Sequence, residues 1–244
     1  MYSVTGRIQA IKQPKGGYLP ASSFIAKQYD DGKNLHVAEN VHGSLVGLAV
    51  DYLTRYRLTE DLVDSFRISL IGAKILGEHE YALKLLARVA TGDIASAVKL
   101  AAFDAVYRAG VMNISIPSPD AATVENIDVM VQRGINFLES KGTVVKAGFT
   151  FEGGYTATIS SGDGDYLTKD SLIDFKVIRS KINAGQTLQL LIYYLMGLHS
   201  IHAEFKGIKY LSIFNPRKNV EYCFPTKKLS EAVISEVSIK VIGY

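Results

Sequence analysis

The sequence predicts an α/β (α+β) fold, a mixed central sheet flanked by helices, on three observations. Apolar residues recur at helical spacing through most of the stretch from Ser44 to Ser140. After Gly142 the pattern changes to β-branched and aromatic segments between Gly-rich turns. A helical segment then separates the first of these strands from the last two, the order that brings parallel and antiparallel neighbours into one sheet.

The elements follow in order. Residues 11–44 hold most of the early Gly, Pro and polar residues and read as loops with short ordered pieces. An amphipathic helix is expected at about Ser44–Arg57. A helical block rich in Ala, Leu, Ile and Val runs from about Glu60 to Ala109. A further helix at about Ala122–Ser140 carries Val124, Ile127, Met130, Val131, Ile135 and Leu138 on one stripe. VVKAGFTF, YTATIS and SLIDFKV read as strands, GQTLQLLIYYLMGL as a helix, and IKYLSIFN and VEYCF as strands joined by a turn at Pro216-Arg217-Lys218-Asn219. A last helix begins at about Leu229.

Composition narrows the function classes. The chain has 244 residues, 48% of them hydrophobic and 21% charged, which is enough to bury a core without covalent staples. The single cysteine, Cys223, rules out an intrachain disulfide and a cysteine-rich zinc finger. The first residues carry charges where a secretory leader needs an apolar run, so a cytoplasmic location is expected. The most apolar run, Leu188–Leu198, spans eleven residues and contains Gln189, too short for a bilayer. Net charge is only +3, but ten Lys/Arg stand against four Asp/Glu between Lys169 and Lys228. A local basic excess is the footprint of a phosphate-binding surface or, more plainly, a solvated charged face.

The chemistry is concentrated in Gly162–Lys176. Two strands flank a tight polar turn at Lys169-Asp170, so Leu167 should face Leu172 and Asp165 should face Asp174. Directly opposed residues have Cβ atoms roughly 4.5–5.5 Å apart. Alternation along the strand points Asp174 and Lys176 to one face and Ile173, Phe175 and Val177 to the other. Two carboxylates that close repel unless a cation or a proton intervenes, and a hard divalent cation, Mg²⁺ or Mn²⁺, suits them. Such an ion polarises a phosphoryl oxygen, and Lys176 could hold the attacking water or stabilise developing charge. A bare D-x-K is common by chance and is more often part of a surface salt bridge.

More than the tripeptide is present. The hairpin and its following helix resemble the PD-(D/E)XK nuclease superfamily, RecB-like branch, in which an Asp precedes the D-x-K strand as Asp165 does here. The next helix carries that branch's Q-x-x-x-Y as Gln189 to Tyr193, whose i, i+4 spacing puts both on one helical face. The resemblance implies a single nuclease-like domain covering roughly Ser44–Arg57 and Val144–Phe224, with the helical segment at about 60–140 as an insertion. It implies metal ligation by Asp165, Asp174 and the Phe175 carbonyl, catalysis by Lys176, and positioning by Gln189 and Tyr193. An earlier G-x-x-x-H is represented by Gly47 to Asp51, with Asp in place of His, so Asp51 is a candidate further ligand and His42 a lesser one. One cysteine cannot supply an iron–sulfur cluster.

Other features stand apart. Gly162-Asp163-Gly164-Asp165 lacks the remaining ligands of an EF-hand, and Asp163 reads as a turn or supporting acid. Gly153-Gly154 lacks the Lys-Ser/Thr of a phosphate loop. Cys223 reads as packing. Arg179, Lys181, Arg217 and Lys218 lie on turns around the proposed site and are candidate phosphate contacts. The expected activity is a Mg²⁺- or Mn²⁺-dependent deoxyribonuclease, exonuclease-like, acting in a DNA-processing, repair, phage or defence context. The alternatives are a non-catalytic DNA- or protein-binding module and a subunit active only in a complex. DNA is the expected partner and a membrane is not, while a homo-oligomer or a larger nucleoprotein complex stays open.

Overall fold

A computed structural model describes every residue from Met1 to Tyr244. The chain divides into two compact units, one formed by Met1–Tyr29 with Leu138–Tyr244 and the other by Asp30–Phe137.

The first unit opens with β1 (Tyr2–Ser3), α1 (Val4–Ala10) and β2 (Ile25–Gln28). The Ser3 hydroxyl caps α1 by accepting from the Gly6 N–H at 3.1 Å. The sequence reading did not include β1 or α1, and β2 falls among the short ordered pieces expected within residues 11–44. The helix has seven residues and the edge strand is exposed at all four positions, so neither carries a readable hydrophobic period.

The second unit follows, with α2 (Gly43–Thr59), α3 (Leu62–Ser65), α4 (Arg67–Ile75), α5 (His79–Ala90), α6 (Ile94–Ala101), α7 (Asp104–Ala109) and α8 (Ala121–Ser140), whose last residues already belong to the first unit. The expected block from Glu60 to Ala109 is therefore five short helices. The unit begins at Asp30 and includes α2. Two polar nodes tie its segments together. Asp104, 1% exposed, accepts from the Tyr52 hydroxyl at 2.5 Å, Ser69 Oγ at 2.7 Å and Arg108 Nε at 3.0 Å, which ties α2, α4 and α7 together. Arg133 on α8 grips Asp31 with Nε at 2.7 Å and Nη2 at 2.9 Å, so the extended start of the unit is fixed to its last helix. The Arg133 hydrogen bond holds the Asp31 carboxyl below its ordinary range.

The chain then completes the first unit with β3 (Val144–Phe149), β4 (Ile159–Ser161), β5 (Gly164–Thr168), β6 (Ser171–Phe175), α9 (Ala184–His199), β7 (Tyr210–Asn215), β8 (Val220–Pro225) and α10 (Glu231–Val237). The six-stranded sheet has the order β2-β8-β7-β6-β5-β3, and β6 and β7 are its one parallel pair. A parallel neighbour needs a crossover, and α9 supplies it. Of YTATIS only Ile159 and Ser160 are strand, and the strand they open pairs with β1 outside the main sheet.

Alternation sorts the sheet into two faces. Leu167, Leu172, Leu211, Ile213 and Phe224 join one core with Leu188, Leu191, Ile192 and Leu195 of α9. Asn183 starts α9 with a capping box, accepting from the Gln186 N–H at 3.1 Å while Gln186 Oε1 accepts from the Asn183 N–H at 3.0 Å. A methyl group on Gly197 would sit 2.0 Å from the Phe205 ring, so only glycine lets that ring lie against the helix. On the opposite face Tyr166, Phe175 and Phe214 pack ring to ring, with centroids 4.8 and 5.4 Å apart. Beside them the buried Glu221 carboxylate accepts from Ser212 Oγ at 2.8 Å and Tyr29 Oη at 3.0 Å and pairs with Lys141 Nζ at 2.5 Å.

No helix is long and apolar enough to cross a membrane.

Candidate active site

The β5–β6 hairpin closes through a two-residue turn at Lys169-Asp170. Thr168 Oγ1 accepts from the Ser171 N–H at 3.1 Å, and Ser171 Oγ donates to Asp170 Oδ1 at 2.8 Å. The Asp170 carbonyl accepts from the Lys209 and Tyr210 N–H groups at 2.7 and 3.0 Å, so the same turn sets the start of β7 beside β6. Leu167 pairs with Leu172 and Tyr166 with Ile173, the register read from the sequence, and one further step puts Asp165 across from Asp174.

The two carboxylates are held differently. Asp165 Oδ2 accepts from the Phe175 N–H at 2.7 Å, taking a backbone donor at the end of the ladder. The carboxylate is thereby locked beside its partner strand. Asp174 is 2% exposed, and Lys176 Nζ lies 2.6 Å from its Oδ2. Desolvating a carboxylate costs several kcal/mol, and the neighbouring ammonium offsets that cost. Lys176 is fixed by its backbone as well, donating N–H to the Phe214 carbonyl at 2.9 Å and accepting from the Ile178 N–H at 3.0 Å.

Above this face, Gln189 Nε2 donates to Tyr193 Oη at 2.8 Å, which joins the two residues of the helix motif. Tyr193 is 4% exposed and its ring stacks on Phe151 at 5.0 Å with planes 25° apart. Burial pushes the Tyr193 hydroxyl well above the ordinary tyrosine range, and the negative charges of Asp174, Asp165 and Asp163 push the same way. The hydroxyl is therefore a neutral hydrogen-bonding group within electrostatic reach of both site carboxylates.

Several residues that build the site were given no role in it by the sequence. A methyl group on Gly164 would lie 2.3 Å from the Phe149 ring, so this glycine lets β5 pass beneath that ring immediately before Asp165. A methyl group on Gly162 would meet Val4 Cγ2 at 2.8 Å and the Tyr193 ring at 3.3 Å. Tyr155 Oη accepts from the Phe151 N–H at 3.1 Å and donates to the Gly162 carbonyl at 3.2 Å, fixing the approach to β5. Asn215, fully buried, donates from Nδ2 to the Ile178 carbonyl at 2.8 Å and accepts from the Arg217 and Lys218 N–H groups at 3.1 and 3.4 Å. In the sequence Asn215 is only the last residue of the expected strand IKYLSIFN, ahead of the turn at Pro216-Arg217-Lys218-Asn219.

The remaining candidates are placed as follows. Arg179 and Lys181 are exposed on the segment after β6, and Arg217 and Lys218 are half-buried on the β7–β8 turn. Asp51 lies on α2 in the second unit and pairs with Arg55 one helical turn on, at 2.8 Å. His42 is the cap of α2, accepting through Nδ1 from the Ser44 N–H at 3.4 Å. Cys223 faces Ser212 across the β7–β8 ladder, and burial raises its thiol, as expected of a packing cysteine.

No group of three or more His, Cys, Asp or Glu side chains is poised to hold a metal ion. The acid pair Asp165 and Asp174 fits a hard divalent cation of the Mg²⁺ type, which binds through one or two carboxylates and keeps several waters. It does not fit a thiophilic metal, which needs sulfur or imidazole donors.

No family model, no curated protein and no solved structure matches the chain.

Proposed function

We propose that the chain is a divalent-metal-dependent nuclease of the PD-(D/E)XK type that hydrolyses DNA phosphodiester bonds. The observation that carries the reading is one convergence. Asp165 and Asp174 stand one step beyond the Tyr166–Ile173 pair on adjacent strands, Lys176 Nζ stands 2.6 Å from Asp174, and the hydrogen-bonded Gln189–Tyr193 pair lies within electrostatic reach of both acids.

Asp165 and Asp174 would hold Mg²⁺ or Mn²⁺, with the Phe175 carbonyl as a further oxygen donor by resemblance. The ion supplies positive charge to the scissile phosphate when bound. Lys176 supplies a second positive charge on the same face. In this role it orients the attacking water and stabilises charge on the phosphoryl oxygens. Gln189 and the neutral Tyr193 hydroxyl donate and accept hydrogen bonds that fix the lysine and the substrate. Lys181 and Lys218, with Arg179 and Arg217, supply phosphate-binding charge on the segments that follow the site strands.

The 2.6 Å Lys176–Asp174 pair favours a second reading, a DNA- or protein-binding module in which the pair is structural. One assay separates the two. End-labelled single- and double-stranded DNA is incubated with Mg²⁺, Mn²⁺ or EDTA and wild type, Asp174→Asn or Lys176→Ala protein. Cutting that needs the metal and is abolished by either substitution supports the nuclease, and the product ladder separates exonuclease from endonuclease action. A folded wild type that binds DNA without cutting it leaves the binding module.

A further inference from the structure

We infer that Asn215 is the positioning residue of the site, an inference that rests on the nuclease reading above. It fixes the turn that carries Lys176 and joins that turn to the basic β7–β8 turn. Lys176 directly follows the last residue of β6, and a lysine just past a strand end is otherwise free to move with the loop behind it. Here the loop is closed at once. The Ile178 N–H returns to the Lys176 carbonyl at 3.0 Å, and the Ile178 carbonyl is taken by Asn215 Nδ2 at 2.8 Å. The amide's other end accepts from the Arg217 and Lys218 N–H groups at 3.1 and 3.4 Å.

One side chain thus satisfies three backbone groups from two separate segments. It is also fully buried, so water cannot take its place. Asn215 pairs in register with Val220 on β8 and sits next to Phe214, whose carbonyl receives the Lys176 N–H. The residue therefore connects the strand that anchors Lys176 to the turn that follows it. Its geometry asks for a donor and an acceptor on one short planar group. Aspartate keeps the acceptor and loses the donor, whereas alanine loses both.

The experiment compares wild type, Asn215→Asp and Asn215→Ala on DNA with Mg²⁺, alongside hydrogen exchange at the Lys176 and Ile178 amides. With Lys176 displaced by about 1 Å, kcat falls about 100-fold. Asn215→Asp and Asn215→Ala both lower kcat, with KM for DNA nearly unchanged in Asn215→Asp, which keeps the β7–β8 turn. KM rises in Asn215→Ala, which frees that turn as well. The Ile178 and Lys176 amides exchange faster in both variants while amides in α9 keep their wild-type protection.

Unchanged kcat in a folded Asn215→Asp protein overturns the positioning role. So does unchanged exchange at Lys176 and Ile178. Should the wild type cut no DNA at all, the nuclease reading fails by itself, and exchange at these two amides still decides whether Asn215 holds the turn.

Discussion

Lys176 Nζ lies 2.6 Å from Asp174 Oδ2, and the carboxylate it meets is only 2% exposed. Removing one partner of a buried pair leaves an uncompensated charge. Lys176→Met is expected to lower stability by roughly 3–5 kcal/mol, and the double variant with Asp174→Asn to recover most of that loss. Urea denaturation of the two single variants and the double variant measures the coupling. Added Mg²⁺ should raise the melting temperature of Lys176→Met more than that of wild type, because the ion replaces the missing positive charge. Equal shifts in both proteins count against a cation at Asp174.

Gly164 offers a test that leaves every charged group of the site in place. An added methyl group would stand 2.3 Å from the Phe149 ring, so Gly164→Ala must displace either the ring or the strand that delivers Asp165. The expected cost is about 1–3 kcal/mol of stability with a larger loss of cleavage. Truncating the ring in Phe149→Leu/Gly164→Ala should restore part of the activity. No recovery would mean that the contact with the Phe149 ring does not carry the loss.

Burial pushes the hydroxyls of Tyr29, Tyr52 and Tyr193 above the titrating range of ordinary tyrosines, and raises Tyr244 to about 12. In the unfolded chain each ionises near pH 10. The folded state therefore holds protons that the unfolded state loses. The stability they contribute is complete below about pH 10 and is lost as pH rises beyond it. Phenolate absorbance should show Tyr29, Tyr52 and Tyr193 ionising only with unfolding, and Tyr193→Phe should flatten the alkaline fall in stability. Early ionisation of the full complement of 14 tyrosines would contradict the burial.

Lys181 and Lys218 test the phosphate surface. Each phosphate contact adds about one to the slope of binding against salt. Lys181→Glu and Lys218→Glu should weaken DNA binding uniformly across sequences and reduce that slope. Fluorescence anisotropy at several salt concentrations gives the slope, and an unaltered one removes these residues from the interface.

The hairpin was legible in the sequence because its signals are local. A polar two-residue turn fixes register, and alternation then places Asp165, Asp174 and Lys176 on one face. The Gln189–Tyr193 contact was legible for the same reason, since i, i+4 spacing is a property of the helix. Asn215 was not, because its three partners lie on segments separated by some forty residues and the residue itself looks like an ordinary turn former. β2 was legible only as one of the short ordered pieces of residues 11–44, because an exposed edge strand has no buried face to write a period into the sequence. The start of the second unit at Asp30 was hidden in the same way. The Asp31–Arg133 grip that holds it there joins an irregular segment to a helix about a hundred residues later.

Glu221 has a consequence for how the gene could be rearranged. The chain leaves the first unit after Tyr29 and returns at Leu138, and residues beside both crossings, Tyr29 and Lys141, are moored to this one carboxylate at 3.0 and 2.5 Å. The segment between them behaves as a cassette with its two seams stitched to one point. Cutting it out and bridging the seams with a short Gly/Ser linker would close a smaller loop, and chain entropy favours the shorter closure by about 0.6 kcal/mol for each halving of length. The same seams admit the opposite operation, in which an unrelated domain with neighbouring termini is spliced in and the sheet keeps its register around Glu221.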